Sequence, residues 1–329
     1  MTRLACIDIG TVTARLAVAD VEGGRVARLA KSSQICNLGE GVDATGRLSE
    51  DAMARVVACV RGFVAAAREA GAPAVCCTMT SAARDAENAG ALQSALRELG
   101  LEPLVIPGQV EGSLTFLGVA QDFRGRQILV ADNGGGSTEL ALGSLGEDGV
   151  LHLDFVRSID VGCRRLTEKC LSSREVPCAE DLARAHEFAA AGFAPAVRAL
   201  SAAGAAPEAL VVCGGTVTSL VAMDARLEPY DPARVHLAHL SRERVDALEA
   251  LLASLDVAGR AALPGLQAKR APVILGGAVA VSELMRQTGF DGLQASESDL
   301  LFGLALAAAS ALDGTDSPVS WKPLMRELR

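Results

Sequence analysis

At 329 residues the chain is long enough for two domains with substantial cores, which excludes a peptide hormone or a disulfide-stapled mini-protein. Its hydrophobic fraction of 50% and charged fraction of 22% are those of a folded globular protein, not a disordered one. Forty acidic against thirty-one basic residues leave a net charge of −9, a field that repels nucleic-acid duplexes and anionic membranes. An anionic ligand then needs local help from metal ions or backbone N–H groups.

The first elements follow from apolar runs and turn signals. A run over residues 4–7 ends at Asp8-Ile9-Gly10, a second run begins at Leu16, and Gly23-Gly24 turns into a third strand over residues 25–30, which predicts a three-stranded meander. Helical periodicity fills residues 49–70, with Ser49 as N-cap and Met53, Val56, Val57, Val60 and Val64 on one face. A strand over residues 74–78, a second helix near residues 82–99 and a strand over residues 104–106 complete a βββαβαβ half.

The opening pattern then returns. Asp132-Asn133-Gly134-Gly135-Gly136-Ser137-Thr138-Glu139-Leu140 aligns with Asp8-Ile9-Gly10-Thr11-Val12-Thr13-Ala14-Arg15-Leu16 as D-x-G-[TG]-x-[TS]-x-x-L, again between two apolar runs. Helices are expected over residues 164–171 and 179–203, with a strand over residues 209–213. Two further glycine pairs, Gly214-Gly215 and Gly276-Gly277, follow apolar runs and read as strand-end turns opening helices, where α/β folds cradle phosphates. Nine cysteines, an odd number with Cys76 and Cys77 adjacent, fit neither a bridged framework nor a C-x-x-C metal pattern, so buried thiols in a reducing cytoplasm are expected. Asp8 interrupts the first apolar run, which argues against a signal peptide. The longest run, residues 300–312, is too short to span a bilayer.

A strand-end aspartate followed by glycine and hydroxyl residues can hold Mg²⁺ while the loop amides approach phosphate oxygens. Asp8 and Asp132 are therefore expected to face each other across an interdomain cleft, with Ser137 and Thr138 adding hydroxyl donors. On these residues alone, Glu111 also reads as a solvated loop acid and Arg84 as a surface helix charge.

The ordered set of motifs resembles the exopolyphosphatase/guanosine pentaphosphate phosphatase (Ppx/GppA) family of the actin-like ATPase superfamily. The resemblance rests on the two Asp-Gly loops, on Thr80-Ser81-Ala82-Ala83-Arg84-Asp85-Ala86-Glu87-Asn88, and on the segment from Gly108 through Glu111 to Val119. Gly162 to Glu168 and Gly214-Gly215-Thr216 extend it along the chain. It implies two RNase H-like α/β domains with mixed β-sheets: residues 1–123 joined by a C-terminal helix, 305–329, packing back, and residues 124–304. It implies Glu111 as general base and Arg84 as phosphate clamp. Gly10, Thr11, Thr13, Gly134, Gly135, Gly136, Ser137, Thr138, Gly214 and Gly215 are implied at phosphate, and Asp8, Asp132 and Glu139 at Mg²⁺.

The implied reaction is release of terminal phosphate from inorganic polyphosphate or guanosine pentaphosphate. The protein partner expected is a second copy of the chain, in a homodimer. Arg157, Arg164, Arg165, Lys169 and Arg174 form a basic segment that tracks a polyanion or forms a balanced helix face, and His236 and His239 read as structural. Val12, Val110, Pro272 and Asp299-Leu300-Leu301-Phe302-Gly303 depart from the family pattern. These departures keep open a second class of function, a polyphosphate- or nucleotide-binding sensor with weakened turnover.

Overall fold

Residues 4–7 are small or apolar on both strand faces up to Asp8, the pattern of a strand covered on both sides. In the computed structural model, which describes residues 1–202, 204 and 206–328, this strand is β1 (Thr2–Ile9). It pairs antiparallel with β2 (Thr13–Glu22), which pairs antiparallel with β3 (Arg25–Ile35). After α1 (Val42–Thr45) and α2 (Glu50–Glu69), the chain enters β4 (Ala74–Met79), parallel to β1. Ser49 caps α2, its side chain accepting from Ala52 N–H, and Val56, Val60 and Val64 bury against Ala5, Ile7 and Ile9. Then come α3 (Ser81–Asp85), α4 (Ala89–Arg97), β5 (Pro103–Val105), parallel to β4, and α5 (Gly108–Val119).

Two local expectations change here. The helix expected near residues 82–99 is broken between α3 and α4. Asn88 bonds the backbone of Leu48 through both amide atoms, at 2.8 and 2.9 Å, and Glu87 N–H donates to Gly46 O, which holds the intervening residues out of the helix. The second change is α5 itself, which places Glu111 on a helix instead of a loop.

The second half repeats the plan with β6 (Gln127–Asn133), β7 (Thr138–Leu145) and β8 (Leu151–Ile159). α6 (Cys163–Leu166) continues as a wider π-type turn over Thr167–Leu171, and α7 spans Ala179–Ala202. The expected end of that helix at residue 203 lies outside the described residues. β9 (Ala209–Cys213), α8 (Gly215–Asp224), α9 (Pro232–Val235), β10 (His239–Ser241), α10 (Arg242–Ala253), α11 (Val257–Ala261), α12 (Ile274–Thr288) and β11 (Gly292–Ser296) complete a sheet ordered β10-β11-β9-β6-β7-β8.

The Gly276-Gly277 turn is a correction. Both glycines lie inside α12, and the preceding apolar run is the start of that helix rather than a strand. A Cβ at Gly276 would come 2.5 Å from Cys163 O, and one at Gly277 2.4 Å from Thr216 Oγ1, so these glycines permit close helix packing.

The chain closes with α13 (Leu300–Asp313) and β12 (Arg326–Glu327), the latter antiparallel to β4. The helix expected over residues 305–329 is thus corrected: it stops at Gly314, whose φ of 69° is left-handed, and Pro318 and Pro323 lack the N–H to resume it. The chain divides into two compact units, one of Met1–Gly125, Ser144–His152 and Asp299–Arg329, the other of Arg126–Gly143 and Leu153–Ser298. All nine cysteines are free, and eight are buried. Among the described residues no helix is long and apolar enough to cross a membrane.

In the first unit α13 crosses α5 with the two backbones in contact. A Cβ at Gly303 would sit 1.8 Å from Leu114 O, and one at Gly118 2.3 Å from Asp299 O. We therefore expect Gly303→Ala to destabilise the protein by about 1–3 kcal/mol, the usual range for overpacking a core. Urea unfolding measures this, and an unchanged midpoint would contradict the backbone contact.

Candidate active site

Both copies of the repeat close in the same way. Gly10 N–H donates to Thr13 O at 3.0 Å, and Gly134 N–H donates to Ser137 O at 3.0 Å. In each, a Cβ on the glycine would meet that same acceptor at 3.1 Å, so a side chain would crowd the turn. The first loop is held from behind. Thr11 O accepts from Gly39 N–H, Thr11 Oγ1 accepts from Ala82 N–H, and Val12 O accepts from both Cys36 and Asn37 N–H at 2.9 Å. The Val12 side chain is buried.

Asp8 lies directly opposite Arg15 in the β1–β2 register and is 1% exposed. Arg15 Nε and Nη2 both donate to Asp8 Oδ2, at 3.0 and 2.7 Å, and Thr78 Oγ1 donates to Oδ1. Arg15 Nη1 also reaches Asp299 Oδ2 at 2.9 Å, and Lys31 Nζ stands 3.7 Å from that oxygen. Asp299, one of the departures from the family pattern, caps α13 through Leu301 N–H as well. Burial raises the pKa of Asp8 and the Arg15 guanidinium opposes that rise. Arg15 was not singled out from sequence, although its position seven residues after Asp8, on the far side of a tight turn, is the available signal.

Seven residues after Asp132 the same position holds Glu139. Both acids are buried. Glu139 Oε1 accepts from Ser137 Oγ at 2.8 Å and from Ser158 Oγ at 2.7 Å, so it orients Ser137. Thr138 is fully buried, its hydroxyl donating to Val161 O and accepting from Asn133 Nδ2. Its hydroxyl is therefore used inside the fold. Gly214, with φ 97°, packs on the end of β6, where a Cβ would come 2.9 Å from Asp132 Oδ1. A Cβ on Gly215 would collide with the Arg270 guanidinium at 2.0 Å. Asp132, Glu139, the Gly134-Gly135-Gly136 loop and the Gly214-Gly215 turn thus belong to the second unit.

In the first unit, Arg84 on α3 and Glu111 in the first turn of α5 come together. Arg84 Nη1 donates to Glu111 Oε2 at 2.6 Å and to Ile106 O at 3.1 Å. Glu111 is 7% exposed, paired with the partly buried Arg84 and not solvated on a loop.

The basic segment is dispersed among partners. Arg164 pairs with Glu168 at 3.0 Å, Arg174 with Asp181 at 3.7 Å, and Arg165 Nε donates to Gly136 O at 2.6 Å. His236 Nδ1 accepts from Glu297 N–H, and His239 lies in β10 against Gly292.

Among the described residues no cluster of three or more acidic, histidine or cysteine side chains forms a protein-made metal cage. Mg²⁺ is usually bound through one or two carboxylates together with phosphate oxygens and water. The buried oxygen donors Asp132 and Glu139 suit that mode, whereas the Asp8 carboxylate carries the Arg15 guanidinium.

Residues 17–304 match the profile of the Ppx/GppA phosphatase family. The chain is 36% identical over 330 residues to exopolyphosphatase 2 of Mycobacterium tuberculosis, covering 94% of this chain and 99% of that protein. A solved structure of the Aquifex aeolicus PPX-GPPA enzyme superposes with a TM-score of 0.75 at 28% identity, covering 93% of this chain and 99% of that one. An exopolyphosphatase from Cytophaga hutchinsonii superposes at 0.83 with 24% identity, covering 96% and 99%, and shares the fold. These likenesses bear out the expected two-domain actin-like α/β fold.

Removing one partner of a buried ion pair strands the other charge. Arg15→Met should therefore lower stability at pH 7 by about 3–5 kcal/mol. The folded-state pKa of Asp8 is already raised and would rise further. The deficit is then fully present above that pKa and shrinks as the pH falls through it and Asp8 protonates. Denaturant unfolding at several pH values measures this; a deficit that grows toward acid pH would contradict the pairing.

Proposed function

Because the chain belongs to the Ppx/GppA phosphatase family, we propose that it releases the terminal phosphate of inorganic polyphosphate, with guanosine pentaphosphate as the sister substrate. The observation that carries this reading is the partly buried Arg84–Glu111 pair, which joins a carboxylate base to an anion-binding guanidinium at 2.6 Å. Glu111 takes a proton from water as the water oxygen bonds to the terminal phosphorus. The bridging P–O bond breaks, and the shortened phosphate chain departs. Arg84 offers five donors in a planar fork, so one edge can hold Glu111 while another meets a phosphoryl oxygen and offsets developing charge.

The glycine loops bring backbone amides within reach of phosphate oxygens because no side chain intervenes, and Ser137, oriented by Glu139, adds a hydroxyl. Asp132 and Glu139 would hold a divalent cation together with substrate oxygens. When bound, the cation neutralises charge on the phosphoryl group.

One observation favours a second reading. In the first loop Asp8 is neutralised by Arg15, Val12 is buried and the Thr11 hydroxyl accepts from Ala82 N–H, so Thr13 is the polar side chain that stays partly exposed there. A sensor with weakened turnover would bind these anions without cleaving them.

A phosphate-release assay on polyphosphate and guanosine pentaphosphate, with Mg²⁺ and with chelator, separates the two. The phosphatase reading expects release that chelator abolishes. Glu111→Gln should lower kcat by about 10²–10⁴-fold with KM little changed. Saturable binding with no release from either substrate by folded protein would replace the enzyme with the sensor.

A further inference from the structure

The loop Gly134-Gly135-Gly136 has all three of its carbonyls accounted for by one short stretch of chain. Gly134 O accepts from Cys163 N–H at 2.9 Å, and Gly135 O accepts from Arg164 N–H at 2.8 Å and Arg165 N–H at 3.2 Å. Gly136 O accepts from the Arg165 side chain, through Nε at 2.6 Å. In a trans peptide the N–H of the next residue points opposite to the C=O. Drawing three consecutive carbonyls to residues 163–165 therefore turns the N–H groups of Gly135, Gly136 and Ser137 to the opposite side of the loop. Successive amides directed to one side make an anion-binding concavity.

The approach also needs a residue without a side chain just before the helix. A Cβ on Gly162 would fall 2.5 Å from Gly135 C, Gly135 O and Gly136 C, all backbone atoms that cannot step aside. Arg165 has a side chain only 12% exposed, and its guanidinium reaches the loop while Asp160 Oδ1 lies 3.9 Å away.

We propose that Gly162 and Arg165 are positioning residues for the phosphate cradle. They hold the carbonyls of the tri-glycine loop so that its amides face the substrate, and Arg165 acts through the Gly136 carbonyl rather than as a contact to phosphate. This rests on reading the loop as a phosphate cradle.

The two roles for Arg165 differ in salt dependence. A direct phosphate contact displaces a counterion, so its removal flattens the slope of log Kd against log salt by about one ion, whereas a contact to a backbone carbonyl leaves the slope unchanged. The test titrates full-length wild type, Arg165→Met and Gly162→Ala with inorganic polyphosphate of defined length at several salt concentrations. Folding is checked by circular dichroism and thermal melting. The inference expects saturable binding by wild type, a rise in Kd of about tenfold in both variants, and an unchanged salt slope in Arg165→Met.

Wild-type affinity in both variants would overturn it, as would a flattened slope in Arg165→Met with normal binding by Gly162→Ala. Should neither variant fold, amide exchange on ligand-free wild type decides. Slow exchange at Cys163 and Arg164 is expected, and fast exchange there would overturn the inference. Absence of both polyphosphate binding and phosphate release in wild type would instead remove the functional reading on which it rests.

Discussion

A strand that ends at a buried carboxylate must turn within a few residues without stranding its own amide, and one backbone hydrogen bond meets that constraint twice. The bonds from Gly10 N–H to Thr13 O and from Gly134 N–H to Ser137 O close the two turns. They leave Asp8 and Asp132 at strand ends, beside Thr78 on β4 and Cys213 on β9 in the parallel registers. The Gly10–Thr13 and Gly134–Ser137 loops are shaped by these turns.

From that shared frame the two copies diverge electrostatically. In the first, the cross-strand partner of Asp8 is Arg15, and the guanidinium continues to Asp299 at the cap of α13, so one residue ties β1, β2 and the returning C-terminal helix together. In the second, the matching position is Glu139, whose carboxylate is engaged by two serine hydroxyls. A copy that carries its own counter-charge suits a structural anchor. A copy with two buried acids suits a site completed by a cation and a polyanion, which is how a chain of net charge −9 can host an anionic ligand.

The 33 glycines serve two different ends. Gly10, Gly134 and Gly214 shape turns at strand ends, the last with a left-handed φ of 97°. Gly118, Gly276, Gly277 and Gly303 lie within helices and let backbone or short side chains of a second element approach to where a Cβ would stand. Gly162, in extended backbone just before α6, serves close approach alone, because its missing side chain lets one segment rest on the loop of another.

The D-x-G repeat, the three-stranded meanders, the capped helix after Ser49 and the ordering of the two halves were legible in the sequence, because turn chemistry and apolar periodicity act over a few neighbouring residues. Local pattern misread Gly276 and Gly277, since an apolar run before a glycine pair looks the same whether it is a strand end or the first turn of a buried helix. The burial of Glu111 beside Arg84, the pairing of Asp8 with Arg15, and the three carbonyls gathered by residues 163–165 were decided only by tertiary structure. Each joins groups brought together by strand pairing or by the packing of separate segments. The charge or hydrogen-bond partner that gives each residue its role is set by that packing and not by its neighbours in sequence.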